Sequence, residues 1–274
     1  MQYDPETLRR LQLALLEMLH EIDDVCRKHD IAYFLDSGSA LGAVRHGGFI
    51  PWDDDIDLGM MREDYERFLA IAPEALPAHL KLVAPGATEH YSPMFAKVMK
   101  RGTKFYAKET QEAGFDLGIF IDIFPFDHLG PDPAIARKQM GTCRRWQKIS
   151  YLYHASSVVV PHQGVLGALE RGACRAAHGF LARTTNEEAI YRNYLASAKL
   201  GQSASDECGC LSYPKPRPYP KSIFLPTRKI RFEDGDFPVA HDAEAYLEIS
   251  YGPDWNQLPP LEKRRNHKPE VLEF

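Results

Sequence analysis

The apolar positions of the first thirty residues recur at helical spacing. Leu8, Leu11, Leu15, Met18, Leu19, Ile22, Val25 and Cys26 share one stripe. Asp4 supplies an N-cap, and Pro5 is a first helical residue whose missing N–H costs nothing, so a helix is predicted over residues 5–28. An apolar run at 31–35 then ends at Asp36, a Ser-Gly-Ser turn follows, and Ala40 to Arg45 read as the start of a second helix. After a loop at 46–52, "DIDLGM" (55–60) alternates polar and apolar residues as a half-buried strand does. "REDYERFLAIA" (62–72) reads as a helix stopped by Pro73. "LKLVA" (80–84), "FAKVMK" (95–100), "KFYA" (104–107) and "IFIDIF" (119–124) complete the predicted strands of the first half.

From 133 to 200 the pattern is helical, Ala-rich at 164–182 and 187–200, and interrupted by "SSVVVPHQG" (156–164). "CGCLSYPKPRPYPKS" (208–222) has prolines at 214, 216, 218 and 220, whose fixed backbone angles favour an extended loop. A short strand pair is expected near "IFLP" and "RKIRFED", then a helix at 242–250 and a Pro-rich tail from Tyr251. The order of elements predicts an α+β fold: a mixed sheet flanked by helices over 1–130, a helical annex over 131–205, and a last part, 206–274, that packs back on the core.

Composition narrows the function classes. The chain has 274 residues, 44% hydrophobic and 26% charged, with a net charge of −5. These values fit a globular domain and give no bulk reason to bind nucleic acid or an anionic membrane. No run of about 18 apolar residues is present, and "MQYDPETLRR" lacks the apolar core of a signal peptide, so a cytoplasmic protein is expected. The basic stretches "PKPRPYPK" and "EKRRNHK" allow peripheral contact with the inner membrane. Cys26, Cys143, Cys174, Cys208 and Cys210 show no repeated metal-ligand spacing and are read as reduced structural thiols.

The chemistry concentrates in "GFIPWDDDIDLGM" (48–60), where Asp53, Asp54, Asp55 and Asp57 are crowded together. Asp55 and Asp57, two apart on a predicted strand, point to one face and invite a divalent cation. Asp53 and Asp54, in the entering loop, are expected outside that pair or facing solvent. Gly38 and Ser39 stand at a turn that opens a helix, where free backbone N–H groups bind phosphate. Asp122 is a lone acid inside an apolar strand, expensive unless it has a cation to serve. Asp116 and Asp127 flank that strand and read as loop or capping residues. Arg45, Lys97 and Lys100 are candidate phosphate clamps.

A Gly-Ser helix start followed by a D-x-D strand is the pattern of the nucleotidyltransferase superfold, to which polymerase β belongs. More closely, "DSGSALGAVRHGGFIPWDDDIDLGM", "IFIDIFPFD", "YLEISYGPDWNQLPP" and "RRNHKP" resemble the LicD family of phosphocholine transferases, which is similar to fukutin and fukutin-related protein. The resemblance implies a nucleotidyltransferase-like fold and Mg²⁺-dependent (or Mn²⁺-dependent) transfer of a phospho-alcohol group, typically from CDP-choline, to a sugar of teichoic acid or lipopolysaccharide with release of CMP. It assigns Asp55, Asp57 and Asp122 to the metal, and Gly38, Ser39 and Arg45 to the phosphate-facing turn and helix. His267 matches a family histidine. No cysteine cluster like that of fukutin-related protein is seen, so no zinc is expected. Tyr91, Phe105, Tyr106, Trp146, Tyr151 and Tyr153 are available to face a quaternary ammonium. Nucleotidyl transfer with pyrophosphate release, an inactive nucleotide-binding module and a D-x-D glycosyltransferase are the competing readings.

Overall fold

A computed structural model describes residues 3–106, 117–155, 162–201 and 205–274. The chain begins with α1 (Pro5–Lys28), capped by Asp4 accepting from the Thr7 N–H, and buries the predicted stripe from Leu11 to Cys26. It continues through β1 (Phe34–Leu35), α2 (Ser37–His46), β2 (Asp57–Met61), α3 (Arg62–Ala75), β3 (Leu80–Val83), β4 (Ala96–Lys100), β5 (Lys104–Tyr106) and β6 (Phe120–His128). Three helices follow: α4 (Pro133–His154), α5 (Gly164–Thr184) and α6 (Glu187–Ala198). Then come β7 (Glu207–Cys210), β8 (Tyr219–Pro220), the hairpin β9 (Arg228–Phe232) and β10 (Gly235–Val239), α7 (Ala243–Tyr251) and β11 (Val271–Glu273).

The main sheet runs β1-β2-β6-β4-β3. β2 and β6 are parallel, β4 lies antiparallel to the first half of β6, and β7 pairs with its second half. This mixed α/β sheet has one large core, built from α1, the sheet, and the residues after 219. A second core joins α4 to α6 around Cys143, Ile190 and Tyr194.

Several local expectations are corrected. α3 runs through Pro73 to Ala75 rather than stopping before it. The proline lies so near the end that only its own missing donor is lost. β6 extends to His128, four residues beyond the apolar run that predicts it. The hairpin partner of Arg228–Phe232 is Gly235–Val239, because the chain from Lys221 to Ile223 coils into a short 3-10 turn and "IFLP" forms no strand. Within the stretch read as extended loop, Cys208 and Cys210 belong to β7, buried, with the Cys208 thiol pushed up to about 12 by burial. β11 is a further strand, paired with β5, that the tail's sequence does not announce. Most of "SSVVVPHQG" and Asp116 lie outside the described residues.

Candidate active site

Three neighbouring strands carry the centre of the site. Asp57, the first residue of β2, is in register with Asp122 of β6, and Lys97 of β4 is in register with Asp122 from the other side. Residues in register on adjacent strands project to the same face, so Asp57, Asp122 and Lys97 make a row across the sheet. Lys97 Nζ is ion-paired with Asp122 Oδ1 and lies 3.5 Å from the centre of the Phe120 ring and 5.1 Å from that of Phe95. Asp57 has no counterpart: among the described residues its carboxylate takes no hydrogen bond and no ion pair. Burial first, then the charges of Asp55, Asp122, Asp36 and Asp53, push its pKa well above the ordinary carboxylate range. Asp122 is also raised, because its burial outweighs the opposing effect of Lys97.

The start of α2 is stitched to this row. Asp36 is the N-cap and is fully buried. Its carboxylate accepts from the Ser37 N–H at 2.8 Å, from Tyr213 Oη at 2.6 Å and from Tyr246 Oη. These bonds oppose, without cancelling, the rise in its pKa that burial causes. The Asp36 N–H donates to the Asp57 carbonyl at 2.9 Å, and the Asp57 N–H donates to Ser39 Oγ at 2.9 Å. Ser39 thus spends an acceptor site on the strand and keeps its proton to donate. The N–H groups of Gly38 and Ser39 have no partner among the described residues, the usual condition of a helix's first turn. A Cβ on Gly38 would lie 2.9 Å from Asp53 Oδ2, so the bare α-carbon lets that carboxylate rest against the helix start.

The acidic loop is held from both ends of the chain. Asp54 is buried, accepting from Tyr3 Oη at 2.9 Å and from the His267 N–H at 2.9 and 3.1 Å. His267 Nδ1 lies 3.2 Å from Asp55 Oδ2 and 3.5 Å from Asp54 Oδ1, and hydrogen bonding to the two acids pushes the imidazole up to about 11. Ligand atoms of Asp54, Asp55 and His267 all lie within 4.8 Å of one another. Gln12 Nε2 donates to the Asp53 carbonyl, and burial followed by Asp55 and Asp54 raises the Asp53 carboxyl well above its usual range. Tyr251, about half exposed, is raised as well, by desolvation first and then by the charges of Asp36, Asp57, Asp53 and Asp55.

The predicted residues therefore divide. Asp55, Asp57, Asp122, Lys97, Gly38 and Ser39 converge. Arg45, in the last turn of α2, is taken up instead by the tail: its Nη1 donates to the carbonyls of Trp255 and Gln257, both at 3.1 Å, and burial lowers its pKa. Lys100, three residues after Lys97, is ion-paired with Glu17 on α1. Asp54 is a buried anchor rather than a solvent-facing loop residue. Asp127 is no capping residue: it lies in β6, buried, and receives Arg62 Nε at 2.7 Å and Nη2 at 2.9 Å. Of the aromatic candidates, Phe105 packs edge-on to Phe120 in the core, Trp146 and Tyr153 pack in the annex core, and Tyr106 pairs with β11. Tyr91 does approach Asp122, whose charge contributes to its raised pKa, but its hydroxyl donates to the Phe95 carbonyl. Rings the sequence does not single out, Phe95, Phe124 and Tyr213, form a contiguous run of tilted rings with Lys97 near Phe95 at one end and the Tyr213 hydroxyl on Asp36 at the other.

The donor set tests the expected metal. Carboxylate oxygens dominate, three acids are raised by burial and mutual repulsion, and no basic side chain among the described residues pairs with Asp57. Hard, oxygen-preferring Mg²⁺ or Mn²⁺ fits such a set, and a nearby divalent charge would relieve the repulsion.

Comparisons with known proteins bear on the family of the chain. Residues 30–165 match the family described as LicD/FKTN/FKRP, nucleotidyltransferase domain. The chain is 29% identical over 269 residues to the lipopolysaccharide cholinephosphotransferase LicD of Haemophilus influenzae, covering 95% of this chain and 96% of that protein. It is 47% identical over 51 residues to the ribitol 5-phosphate transferase FKRP of human and of mouse, a stretch that is 19% of this chain and 10% of those proteins. A 62-residue stretch is 44% identical to an uncharacterized Rickettsia typhi protein, covering 23% of this chain and 20% of that one. Residues 30–165 of the chain are thus a domain of the LicD family, and the similarity to a LicD protein extends along nearly its whole length.

Proposed function

We propose that the protein is a phosphotransferase of nucleotidyltransferase-like fold. It moves a phospho-alcohol group, phosphocholine carried by CDP-choline, onto a sugar hydroxyl of a cell-surface glycan precursor and releases CMP in the cytoplasm. The observation that carries this reading is the Asp57 and Asp122 pair in register beside the unpartnered N–H groups of α2. Similarity to a cholinephosphotransferase over 95% of the chain favours choline as the alcohol. The shorter match to a ribitol 5-phosphate transferase makes ribitol the alternative.

Asp55 and Asp57, with Asp122 as the candidate third acid, would hold Mg²⁺ or Mn²⁺, which when bound supplies the positive charge that a diphosphate and its leaving CMP require. The N–H groups of Gly38 and Ser39 and the Ser39 hydroxyl donate to a phosphate oxygen. Lys97 offsets the charge of Asp122 and brings an ammonium next to the transferred group. Asp122 Oδ2, which the lysine leaves free, completes the metal set or accepts the proton of the attacking sugar hydroxyl. Arg45 acts on the reaction by fixing the tail beside α2.

The test is product analysis with purified protein, Mg²⁺ and CDP-choline, CDP-ribitol or CDP-glycerol in turn, with a sugar acceptor present. CMP formed from CDP-choline and abolished by a chelator is expected. Pyrophosphate formed from a nucleoside triphosphate would establish nucleotidyl transfer instead, and tight donor binding with no product would establish an inactive module.

A further inference from the structure

The annex carries a charge pattern opposite to that of the whole chain. In a protein of net charge −5, α4 has five cations, Arg137, Lys138, Arg144, Arg145 and Lys148, and no acid at all. All five are exposed, and none takes an ion pair among the described residues. With 3.6 residues per turn they fall within about a third of the helix circumference, opposite the buried Ala136, Gln139, Cys143 and Ser150. α5, which packs against α4, adds three arginines against the single acid Glu170, and that acid is paired with His162. The two basic stretches near the tail differ: Arg217 donates to the Ile249 carbonyl, and Arg264 lies over the Trp52 ring.

α5 also shows apolar side chains to solvent. Of its 21 residues only Gly167 is buried, whereas Val165 is 80% exposed, Phe180 65%, and Leu169 and Leu166 more than half. At helical spacing these four lie on one flank. A basic helix face beside exposed Leu, Val and Phe is the composition of a helix that lies in the headgroup region of a bilayer. A polyanion such as DNA would satisfy the cations but leave the apolar flank without a use.

We infer that the outer face of α4 and α5 docks the protein on an anionic lipid bilayer, its arginines and lysines meeting phospholipid headgroups and Val165, Leu166, Leu169 and Phe180 entering the acyl boundary. No helix of the described residues is long and apolar enough to cross a membrane, so the contact is peripheral. The inference rests on this surface alone and stands or falls independently of the reaction proposed above.

The experiment is co-sedimentation of the full-length protein with vesicles of phosphatidylcholine alone, or of phosphatidylcholine and phosphatidylglycerol in equal parts, at low and moderate salt. Binding to the anionic vesicles only, weakening with salt, is expected. The triple variant Arg144→Gln, Arg145→Gln, Lys148→Gln should bind about a hundredfold more weakly, at about fivefold per charge removed. Leu169→Ser with Phe180→Ser, on the other helix, should lower binding about tenfold and make what remains more salt-sensitive. Melting temperatures report folding, and should the first variant fail to fold, the second decides. The inference is overturned if the wild-type protein ignores anionic vesicles, if a folded variant binds as well as wild type, or if a DNA duplex is bound and vesicles are not.

Discussion

Asp57 and Asp122 stand side by side in register across parallel strands, and among the described residues a basic side chain, Lys97, pairs with Asp122 but none with Asp57. Strands at this spacing bring the two Cα atoms to about 5 Å, so without a metal Asp57 is held next to a like charge at a cost to folding. Asp57→Asn removes that cost and should raise the melting temperature by a few degrees, equivalent to about 1 kcal/mol. The same substitution should abolish CMP release. Added Mg²⁺ should raise the melting temperature of the wild-type protein and leave that of Asp57→Asn nearly unchanged. An Asp57→Asn variant that melts lower than wild type would show that the carboxylate is stabilising as it stands.

Arg62 and Asp127 form a bidentate pair with almost no access to water. Removing one partner strands the other charge, so Arg62→Met should cost about 3–5 kcal/mol in denaturant unfolding. The double variant Arg62→Met, Asp127→Leu should recover most of that loss. If the single variant costs less than about 1 kcal/mol, the pair is hydrated in solution.

Gly59 faces two rings: a Cβ there would come to 2.2 Å from Phe34 Cε2 and 2.9 Å from Phe126 Cε2. Neither ring can withdraw from a packed core without strain, so Gly59→Ala should destabilise the protein by about 1–3 kcal/mol. Urea unfolding measures it, and a neutral result would mean that the strand can shift outward.

His267 titrates at about 11 in the folded chain against 6.5 for an ordinary histidine, because Asp54 and Asp55 stabilise its charged form. A raised folded pKa means a contribution that is complete below pH 6.5 and disappears as the pH climbs towards 11. The ring itself is 74% exposed, and solvent screening keeps the contribution below about 1 kcal/mol. His267→Gln should therefore lose a small stability increment at about pH 6 and almost none at about pH 11, compared with wild type by denaturant midpoint. A difference that grows with pH would have the wrong sign for this ion pair.

Much of the site is legible in the sequence because its cost is local. A lone acid in "IFIDIF" and two acids two apart before "LGM" are expensive in apolar strands whatever the rest of the fold does, and Asp122 and Asp57 indeed lie in register. What escapes depends on pairings that periodicity does not encode. Asp54 reads as a loop residue until His267, 213 positions later, caps it. Asp127 reads as the end of a strand because its partner Arg62 is 65 positions earlier. Arg45 points to phosphate on charge alone, while backbone carbonyls of the tail supply its partners. The register that sets Lys97 on Asp122 is a property of the sheet rather than of either strand.

The clamp on Asp36 bears on how far the chain can be trimmed. Tyr213 and Tyr246 hold that carboxylate, and both follow the matched segment, which ends at residue 165. A protein cut back to that segment would keep every acid of the row. It would also strip two of the three donors from a fully buried charge, along with β7 from the flank of β6. The shortest piece that can assemble a working centre is thus set by the tyrosines rather than by the aspartates.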